Sequence, residues 1–360
     1  MRAHNFGAGP CTLPDEVLAE ARDEMLDFAG TGMSIVELSH RSAEYEQVHQ
    51  ETLRLTRSVS GAPDDFAVLF VQGGATLQFS MIPMNLLGAD RRGGYVVSGA
   101  WGEKALANAR PHGGVYAAWD GAADGYRSMP DPAAITVEEG SRYLHITTNE
   151  TIGGIRMVEF PETDTPLVAD MSSEYLARPI AWERYDLVYG GVQKNLAPSG
   201  MAVVFVRRSV LEEPAPDLGD YLRYGFHAES DSLGNTPPMF PIYIMGKVLA
   251  RIESSGGVAA LERRSAEKAE ALYAAIDESD GFYRNPVNRR DRSHMNVVFR
   301  LPSPELEAQF VSEAPGSGLI GLKGHRSVGG LRASMYAALS MDSVGALVEF
   351  MDGFRRSAPV

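Results

Sequence analysis

Lysine and cysteine are scarce in this chain of 360 residues. Among the 33 basic residues, only five are lysines, at Lys104, Lys194, Lys247, Lys268 and Lys323. The single cysteine, Cys11, excludes a disulfide within the chain and favours a reducing compartment. A reaction that requires an amine therefore has only five candidate side chains.

The chain also has fewer basic than acidic residues and no long apolar segment. Acidic residues outnumber basic ones by 47 to 33, which gives a formal net charge of −14. Such a chain is poorly suited to nucleic-acid phosphates, so an anionic ligand would need a local basic pocket. No apolar run approaches the roughly 18 residues that span a bilayer, and no signal peptide is visible. We expect a cytoplasmic protein that binds neither nucleic acid nor membrane.

Short apolar segments alternate with helical ones over the first two thirds of the chain. A first helix is predicted from Pro14 to a stop at Gly30. Strands are then predicted over 66–71, 94–98, 143–147, 167–169, 187–189 and 201–206, with helices over 42–59, 75–87 and 102–110. This alternation is typical of an α/β protein whose mostly parallel sheet is covered by helices on both faces.

The pattern changes after about residue 238. Helices are predicted over 238–254, 257–277, 304–314 and 344–355, and strands over 294–299 and 331–335. We therefore expect a large domain formed by residues 13–255 and a smaller α+β domain formed by residues 1–12 and 256–360.

A glycine pair follows the predicted strand 66–71. Gly73 and Gly74 let the backbone approach a ligand closely, and the next helix offers free N–H groups at its start. Thr76 adds a hydroxyl, so the segment fits a phosphate-binding turn. It fits a plain tight turn between strand and helix equally well, and it matches neither common nucleotide-binding motif.

Asp170 and Lys194 each come just after a predicted buried strand. Because the carboxyl ends of parallel strands meet at one edge of a sheet, both side chains are expected in one crevice. A lysine held there can have a lowered pKa and attack a carbonyl, whereas Asp170 alone also fits a helix N-cap. An amine, a carboxylate and a phosphate-binding turn are together what pyridoxal 5′-phosphate requires.

The other lysines are weaker candidates for the amine. Lys104, Lys247 and Lys268 fall in helical stretches, where a long side chain is expected at the surface. Lys323 stands beside other basic residues and is better suited to contact an anion.

Aromatic and basic residues next to glycines add to the candidate site. Trp101 follows a predicted strand among small residues and could stack on a flat ring or simply pack in the core. His40-Arg41, the segment 323–326 and Arg332 are basic clusters. Each could form surface ion pairs, but the glycines around 324–330 favour an anion pocket.

The chain resembles a known family over essentially its whole length. The matching motifs are Asn5-Phe6-Gly7-Ala8-Gly9-Pro10, Ser39-His40-Arg41, Gln72-Gly73-Gly74-Ala75-Thr76, Asn149-Glu150-Thr151-Ile152-Gly153-Gly154, Asp170-Met171-Ser172-Ser173, Gly191-Val192-Gln193-Lys194-Asn195, Asn235-Thr236-Pro237-Pro238 and the segment 324–334. In this order they resemble the phosphoserine aminotransferases, pyridoxal-phosphate enzymes of the aspartate-aminotransferase fold class within the class-V aminotransferases.

The resemblance implies a homodimer that converts 3-phosphohydroxypyruvate and L-glutamate into O-phospho-L-serine and 2-oxoglutarate, in serine biosynthesis. It implies these cofactor contacts: Lys194 as the Schiff-base lysine, Asp170 at the pyridinium nitrogen, Trp101 on the ring, Thr151 beside the phenolic oxygen, Gly74, Ala75, Thr76 and Gln193 at the phosphate, and Asn235 and Thr236 from the other subunit. It implies substrate contacts from His40, Arg41, His325, Arg326 and Arg332, some of them across the dimer, and no metal.

Several points stay open at this stage. Some family members carry an arginine where this chain has Thr76, so the phosphate pocket is not fully defined. Use of the four-carbon phosphorylated keto acid of pyridoxine synthesis is a second possible activity. Alternatives are an aminotransferase of the serine–pyruvate or alanine–glyoxylate type, and a non-catalytic binding protein of this fold. A cysteine desulfurase is disfavoured because Cys11, the only cysteine, lies in the N-terminal segment.

Overall fold

The computed structural model describes residues 2–88, 91–213 and 217–358. Its strands are β1 (His4–Asn5), β2 (Phe66–Gln72), β3 (Arg92–Val97), β4 (Gly114–Asp120), β5 (Ser141–Thr147), β6 (Asn149–Glu150), β7 (Ile155–Arg156), β8 (Leu167–Asp170), β9 (Tyr185–Gly191), β10 (Met201–Arg207), β11 (Asn296–Phe299), β12 (Leu319–Ile320) and β13 (Leu331–Ser334). Its α-helices are α1 (Asp15–Asp23), α2 (Ala43–Ser60), α3 (Gly74–Leu86), α4 (Ala100–Ala109), α5 (Arg208–Leu211), α6 (Tyr224–Glu229), α7 (Met239–Ser254), α8 (Gly257–Asp277), α9 (Pro304–Glu313) and α10 (Met341–Ser357).

A seven-stranded sheet forms the centre of the molecule, in the order β2-β10-β9-β8-β5-β3-β4. Neighbouring strands are parallel except at β10, which is antiparallel to both β2 and β9. The interior strands are apolar along nearly their whole length because helices cover both faces. The predicted α/β class with a mostly parallel sheet is confirmed.

Some predicted elements differ from the observed ones. Helix α1 ends at Asp23 rather than near Gly30, because 28–30 forms a separate 3-10 turn in which Ala29 has a φ of 54°. Strand β4 was not predicted, although residues 115–119 form a short apolar run; it lies at the edge of the sheet, where most of its side chains stay partly or fully exposed. Helix α4 begins at Ala100, so Trp101 lies in its first turn rather than in the preceding loop.

A separate apolar cluster lies outside the central sheet. It joins Phe6 to residues of α8, β11, α9, β13 and α10, and β1 pairs in parallel with β12. Leu261 in α8 and Val287, however, pack in the cluster of the large sheet. The division of the chain between residues 255 and 256 stays a prediction.

The described residues contain neither a membrane-spanning helix nor a metal-binding cluster. In these ranges no helix is both long and apolar enough to cross a membrane. Nor do the same ranges bring three histidine, cysteine or carboxylate side chains together as a metal site would need.

Candidate active site

The site is built at the carboxyl edge of the central sheet. Strand β8 ends at Asp170, which is level with Thr147 at the end of β5, and Lys194 follows β9 by three residues. Asp170 and Lys194 are both buried, at 5% and 7% exposure. The structure therefore places the predicted carboxylate and amine in one crevice, where parallel strands direct their ends.

Lys194 is held by a single hydrogen bond. Its Nζ donates to Oγ1 of Thr151 over 2.7 Å, and no other acceptor for it is found among the described residues. The pKa of Lys194 is lowered to about 8, chiefly by burial and in small part by Arg332, against the charges of Asp170 and Glu150, which raise it. An amine in this state is partly neutral near pH 7 and keeps two N–H groups free for a ligand.

Asp170 presents one oxygen to the protein and one to the crevice. Its Oδ1 accepts from the backbone N–H and the hydroxyl of Ser172, over 2.8 and 2.6 Å. Within the described chain Oδ2 has no hydrogen-bond partner. Burial raises the pKa of Asp170, while Lys194 and the Ser172 bonds oppose that shift. No α-helix begins here, so the N-cap alternative is excluded.

Trp101 lies against the same amine. The Nζ of Lys194 is 5.5 Å from the centroid of its ring, and the Nζ of Lys104 is 4.5 Å from it. Its indole Nε1 is buried without a partner among the described residues. A flat ring beside a buried amine is a suitable stacking surface for an aromatic cofactor.

The glycine turn leads from β2 directly into α3. Gly73 occupies the N-cap position with a φ of +88°, and no side chain caps the helix there. The N–H groups of Gly74, Ala75 and Thr76 therefore stand at an uncapped helix start, and Thr76 is exposed. In the same chain the Asn235–Thr236 loop contacts Gln72 at the end of β2, since Gln72 Nε2 donates to the carbonyl oxygen of Thr236 over 3.0 Å, but no hydrogen bond in the described chain joins it to the start of α3.

Basic residues line a cavity of about 370 Å³, which Arg332 connects to Thr151, the hydrogen-bond partner of Lys194. His325, Arg332, Ile152 and Gly153 are among its lining residues. Nη1 of Arg332 donates to the carbonyl oxygen of Thr151 over 3.3 Å, and its buried Nε finds no partner in the described chain. Burial, together with nearby positive charge, lowers the pKa of His325.

Other predicted residues lie farther out. Arg326 is exposed beside His325, and Gln193 is half-buried next to Lys194. His40 and Arg41 precede α2, and no hydrogen bond or ion pair in the described chain joins either to the Lys194 cluster. Within the described residues of one copy, therefore, no direct bond links this pair to the amine.

Two features went unrecognised in the sequence. Lys268, expected at the surface, is 2% exposed and donates to the carbonyl oxygens of Met335, Tyr336 and Leu339 over 2.7–3.1 Å. The surface prediction was wrong because α8 packs on a segment whose carbonyls need donors. Glu150 is fully buried, and burial raises its pKa to about 7. Its place in the Asn149-Glu150-Thr151 motif was the only signal.

These groups fit pyridoxal phosphate. The free Oδ2 of Asp170 suits a protonated ring nitrogen, the under-bonded amine of Lys194 suits an aldehyde, and the uncapped start of α3 suits a phosphate.

Comparison with known proteins identifies the family of this chain. Residues 3–347 match the family model "Aminotransferase class-V". A phosphoserine aminotransferase of Lysinibacillus sphaericus (strain C3-41) is 47% identical over 357 residues, 99% of each chain. The solved phosphoserine aminotransferase of Bacillus circulans subsp. alkalophilus is 47% identical, covers 99% of each chain and has a TM-score of 0.96.

The chain belongs to the phosphoserine aminotransferase family of class V. A pyridoxal-phosphate-bound phosphoserine aminotransferase from Trichomonas vaginalis is also similar, at 36% identity and a TM-score of 0.93, over 98% of this chain and 100% of that one. The predicted family, enzyme class and cofactor are thereby confirmed: this chain is an aminotransferase that depends on pyridoxal phosphate.

Proposed function

We propose that this chain transfers the amino group of L-glutamate to 3-phosphohydroxypyruvate, giving 2-oxoglutarate and O-phospho-L-serine. The observation that carries the proposal is the buried pair of Lys194 and Asp170, with Arg332 bonded to Thr151, the partner of Lys194, and lining a basic cavity together with His325. The pair suits the cofactor, and the basic cavity suits a substrate that carries both a carboxylate and a phosphate.

The residues proposed to hold the cofactor surround that pair. They are Lys194 at the aldehyde, Asp170 at the ring nitrogen, Trp101 on the ring, Thr151 at the phenolic oxygen, Gly74, Ala75, Thr76 and Gln193 at the phosphate, and Asn235 and Thr236 from a second copy. The hydrogen bond between Lys194 and Thr151 supports this set, because it already joins two of its members.

Two side chains do most of the proposed chemistry. Pyridoxal phosphate, when bound, supplies an aldehyde that takes up the amino group and a ring that withdraws electrons from the substrate Cα. Lys194 Nζ, in its neutral form, removes the proton from that Cα and returns it in the reverse direction, which its lowered pKa favours. Asp170 keeps its charge opposite the ring nitrogen and so keeps that nitrogen protonated.

Substrate anions are proposed to bind on the basic side of the site. Arg332 is anchored to the carbonyl oxygen of Thr151 and so is held close to Lys194. His325 and Arg326 lie beyond it. His40 and Arg41 complete the set from a second copy, because no hydrogen bond or ion pair in the described residues joins them to the amine of their own chain.

A homodimer with shared active sites is part of the proposal. Three apolar side chains stand exposed just ahead of His40 and Arg41, with Leu26 at 87%, Val36 at 55% and Met33 at 45% exposure. An apolar surface beside the two basic residues is what a self-association face requires. We also propose a cytoplasmic location, on the strength of the lone Cys11.

A spectral titration tests the reaction. The full chain loaded with pyridoxal phosphate should be yellow, should lose this colour with L-glutamate and should regain it with 3-phosphohydroxypyruvate. Recovery only with an unphosphorylated keto acid would instead favour an enzyme of the serine–pyruvate or alanine–glyoxylate type. A protein that never becomes coloured would favour the non-catalytic alternative. Adding the four-carbon phosphorylated keto acid tests the second substrate.

A further inference from the structure

Glu150 is a fully buried carboxylate that the reaction above does not use. It ends β6, pairs with Ile155 of β7 and is followed directly by Thr151, whose hydroxyl holds Lys194. Burying an ionisable group is costly unless it is hydrogen-bonded, so its surroundings should show what it stabilises.

The carboxylate of Glu150 caps the helix that carries Trp101. Its Oε2 accepts from the backbone N–H of Trp101 over 3.1 Å, and its Oε1 accepts from that of Gly102 over 2.9 Å. These N–H groups belong to the first turn of α4, which has no acceptor within the helix, and a carboxylate at a helix N-terminus also interacts favourably with the helix dipole.

The backbone is shaped to receive this carboxylate. A Cβ atom added to Gly99 would lie 2.6 Å from Cδ of Glu150 and 2.8 Å from its Oε2. Any larger residue at position 99 would therefore push the carboxylate off the helix. Gly99 and the backbone N–H groups of Trp101 and Gly102 therefore form a close-fitting binding site for the carboxylate of Glu150.

Glu150 connects two parts of the candidate active site, the first turn of α4 with Trp101 and the hairpin residue that bonds Lys194. On one side, Glu150 is bonded to the turn that carries Trp101, and on the other it is covalently joined to Thr151, the partner of Lys194. The ring of Trp101 and the amine of Lys194, 5.5 Å apart, are thus linked through two adjacent buried residues, Glu150 and Thr151.

We propose that Glu150 is a positioning residue that locks the first turn of α4 onto the β6–β7 hairpin and thereby sets where the Trp101 ring stands relative to Lys194. Its role is to hold the stacking surface in place before the cofactor arrives. This inference rests on the proposed use of Trp101 as the ring's stacking partner.

The test compares Glu150→Gln with Glu103→Gln. In the first variant the introduced amide keeps the shape of the side chain but offers only one oxygen to two donors, and it carries no charge. Glu103 is the matched control, because it is an exposed acid in the first turn of the same helix and bonds the hydroxyl of Tyr126 instead. Glu150→Ala is a harsher third variant.

The first readout is hydrogen–deuterium exchange of the segment 99–106 in the cofactor-free full chain. Glu150→Gln should speed exchange there by about tenfold, since charge-assisted bonds to two amides are weakened. Glu103→Gln should leave it within about twofold. Exchange in Glu150→Gln at the wild-type rate would overturn the proposal. The measurement does not require enzymatic activity.

The second readout is quenching of Trp101 fluorescence by pyridoxal phosphate, with Trp101→Phe as the reference for the other two tryptophans. Glu150→Gln should show weaker quenching and a cofactor Kd raised about tenfold, with the Glu103→Gln values unchanged. Unchanged quenching in Glu150→Gln would also overturn the proposal. If wild type fails to bind the cofactor, the proposed function falls, while the exchange experiment still decides the role of Glu150.

Discussion

Two lysines of this chain are buried, and they are bonded in opposite ways. Lys268 donates three hydrogen bonds to three backbone carbonyls, one for each of its N–H groups, and burial lowers its pKa to about 7. Lys194 donates one hydrogen bond to a hydroxyl, and burial lowers its pKa to about 8. Burial and a lowered pKa therefore do not distinguish a functional lysine from a structural one.

The difference lies in what each amine leaves unused. Lys268 is saturated and fixes the segment 335–339 against α8, so it has nothing left for a ligand. Lys194 keeps two free N–H groups, and the charges of Asp170 and Glu150 raise its pKa. An under-bonded buried amine costs stability, and such a cost is expected at a site that a ligand completes.

The largest expected effect is on catalysis at Lys194. Lys194→Ala should abolish covalent attachment of the cofactor and lower transamination by roughly 10³-fold or more, because the proton at the substrate Cα has no base. Steady-state rates with L-glutamate and 3-phosphohydroxypyruvate measure this. A variant with near-normal turnover would refute the assignment.

Asp170→Asn should have the next largest effect. The amide keeps the shape but cannot hold the ring nitrogen protonated, so we expect turnover to fall by about 10²–10³-fold. The pKa of Lys194 should also fall further, because the charge of Asp170 raises it. Rates and a pH titration of the variant measure both, and unaltered values would point to another partner for the nitrogen.

Lys268→Met should act on stability instead. Three buried carbonyls would lose their donor, so we expect the free energy of unfolding to drop by about 3 kcal/mol. Urea unfolding of the variant measures this, with activity per folded molecule largely kept. Lys247→Met is the control, since this lysine of α7 pairs with Glu20 and Glu24 near the surface and should cost under about 1 kcal/mol. Equal losses in both variants would contradict the distinction.

The pH dependence of the free energy of unfolding should differ between wild type and Lys268→Met. Between pH 7 and 10.5 the unfolded chain holds a proton on Lys268 that the folded chain releases, together with one of the three hydrogen bonds, so this group makes the free energy of unfolding rise with pH. From pH 7 to pH 9 the change in the free energy of unfolding should be more positive in wild type than in Lys268→Met. A steeper rise of the free energy of unfolding in Lys268→Met than in wild type would contradict the lowered pKa of Lys268.

Thr151→Val should have the smallest effect. It removes the one hydrogen bond of Lys194, so kcat/KM should fall by about tenfold. Thr151→Ser keeps the hydroxyl and should stay close to wild type. If the serine variant fell as far as the valine variant, the methyl group rather than the hydrogen bond would matter.

The two lysines also show how far sequence reasoning reaches. Lys194 and Asp170 could be predicted because apolar strands are visible in a sequence and parallel strands direct their ends to one edge. Lys268 could not, because its partners are carbonyls 67 to 71 residues away that no local pattern records. Glu150 escaped for the same reason, since its donors lie at the start of a helix almost 50 residues earlier.

One labelling experiment tests the central claim most directly. The full chain is incubated with pyridoxal phosphate, treated with borohydride to fix the cofactor on any amine it has joined, digested and analysed by mass spectrometry. The account predicts the added mass on the peptide that carries Lys194 and none on the peptide that carries Lys268. Labelling of Lys268, or an unlabelled Lys194, would contradict it.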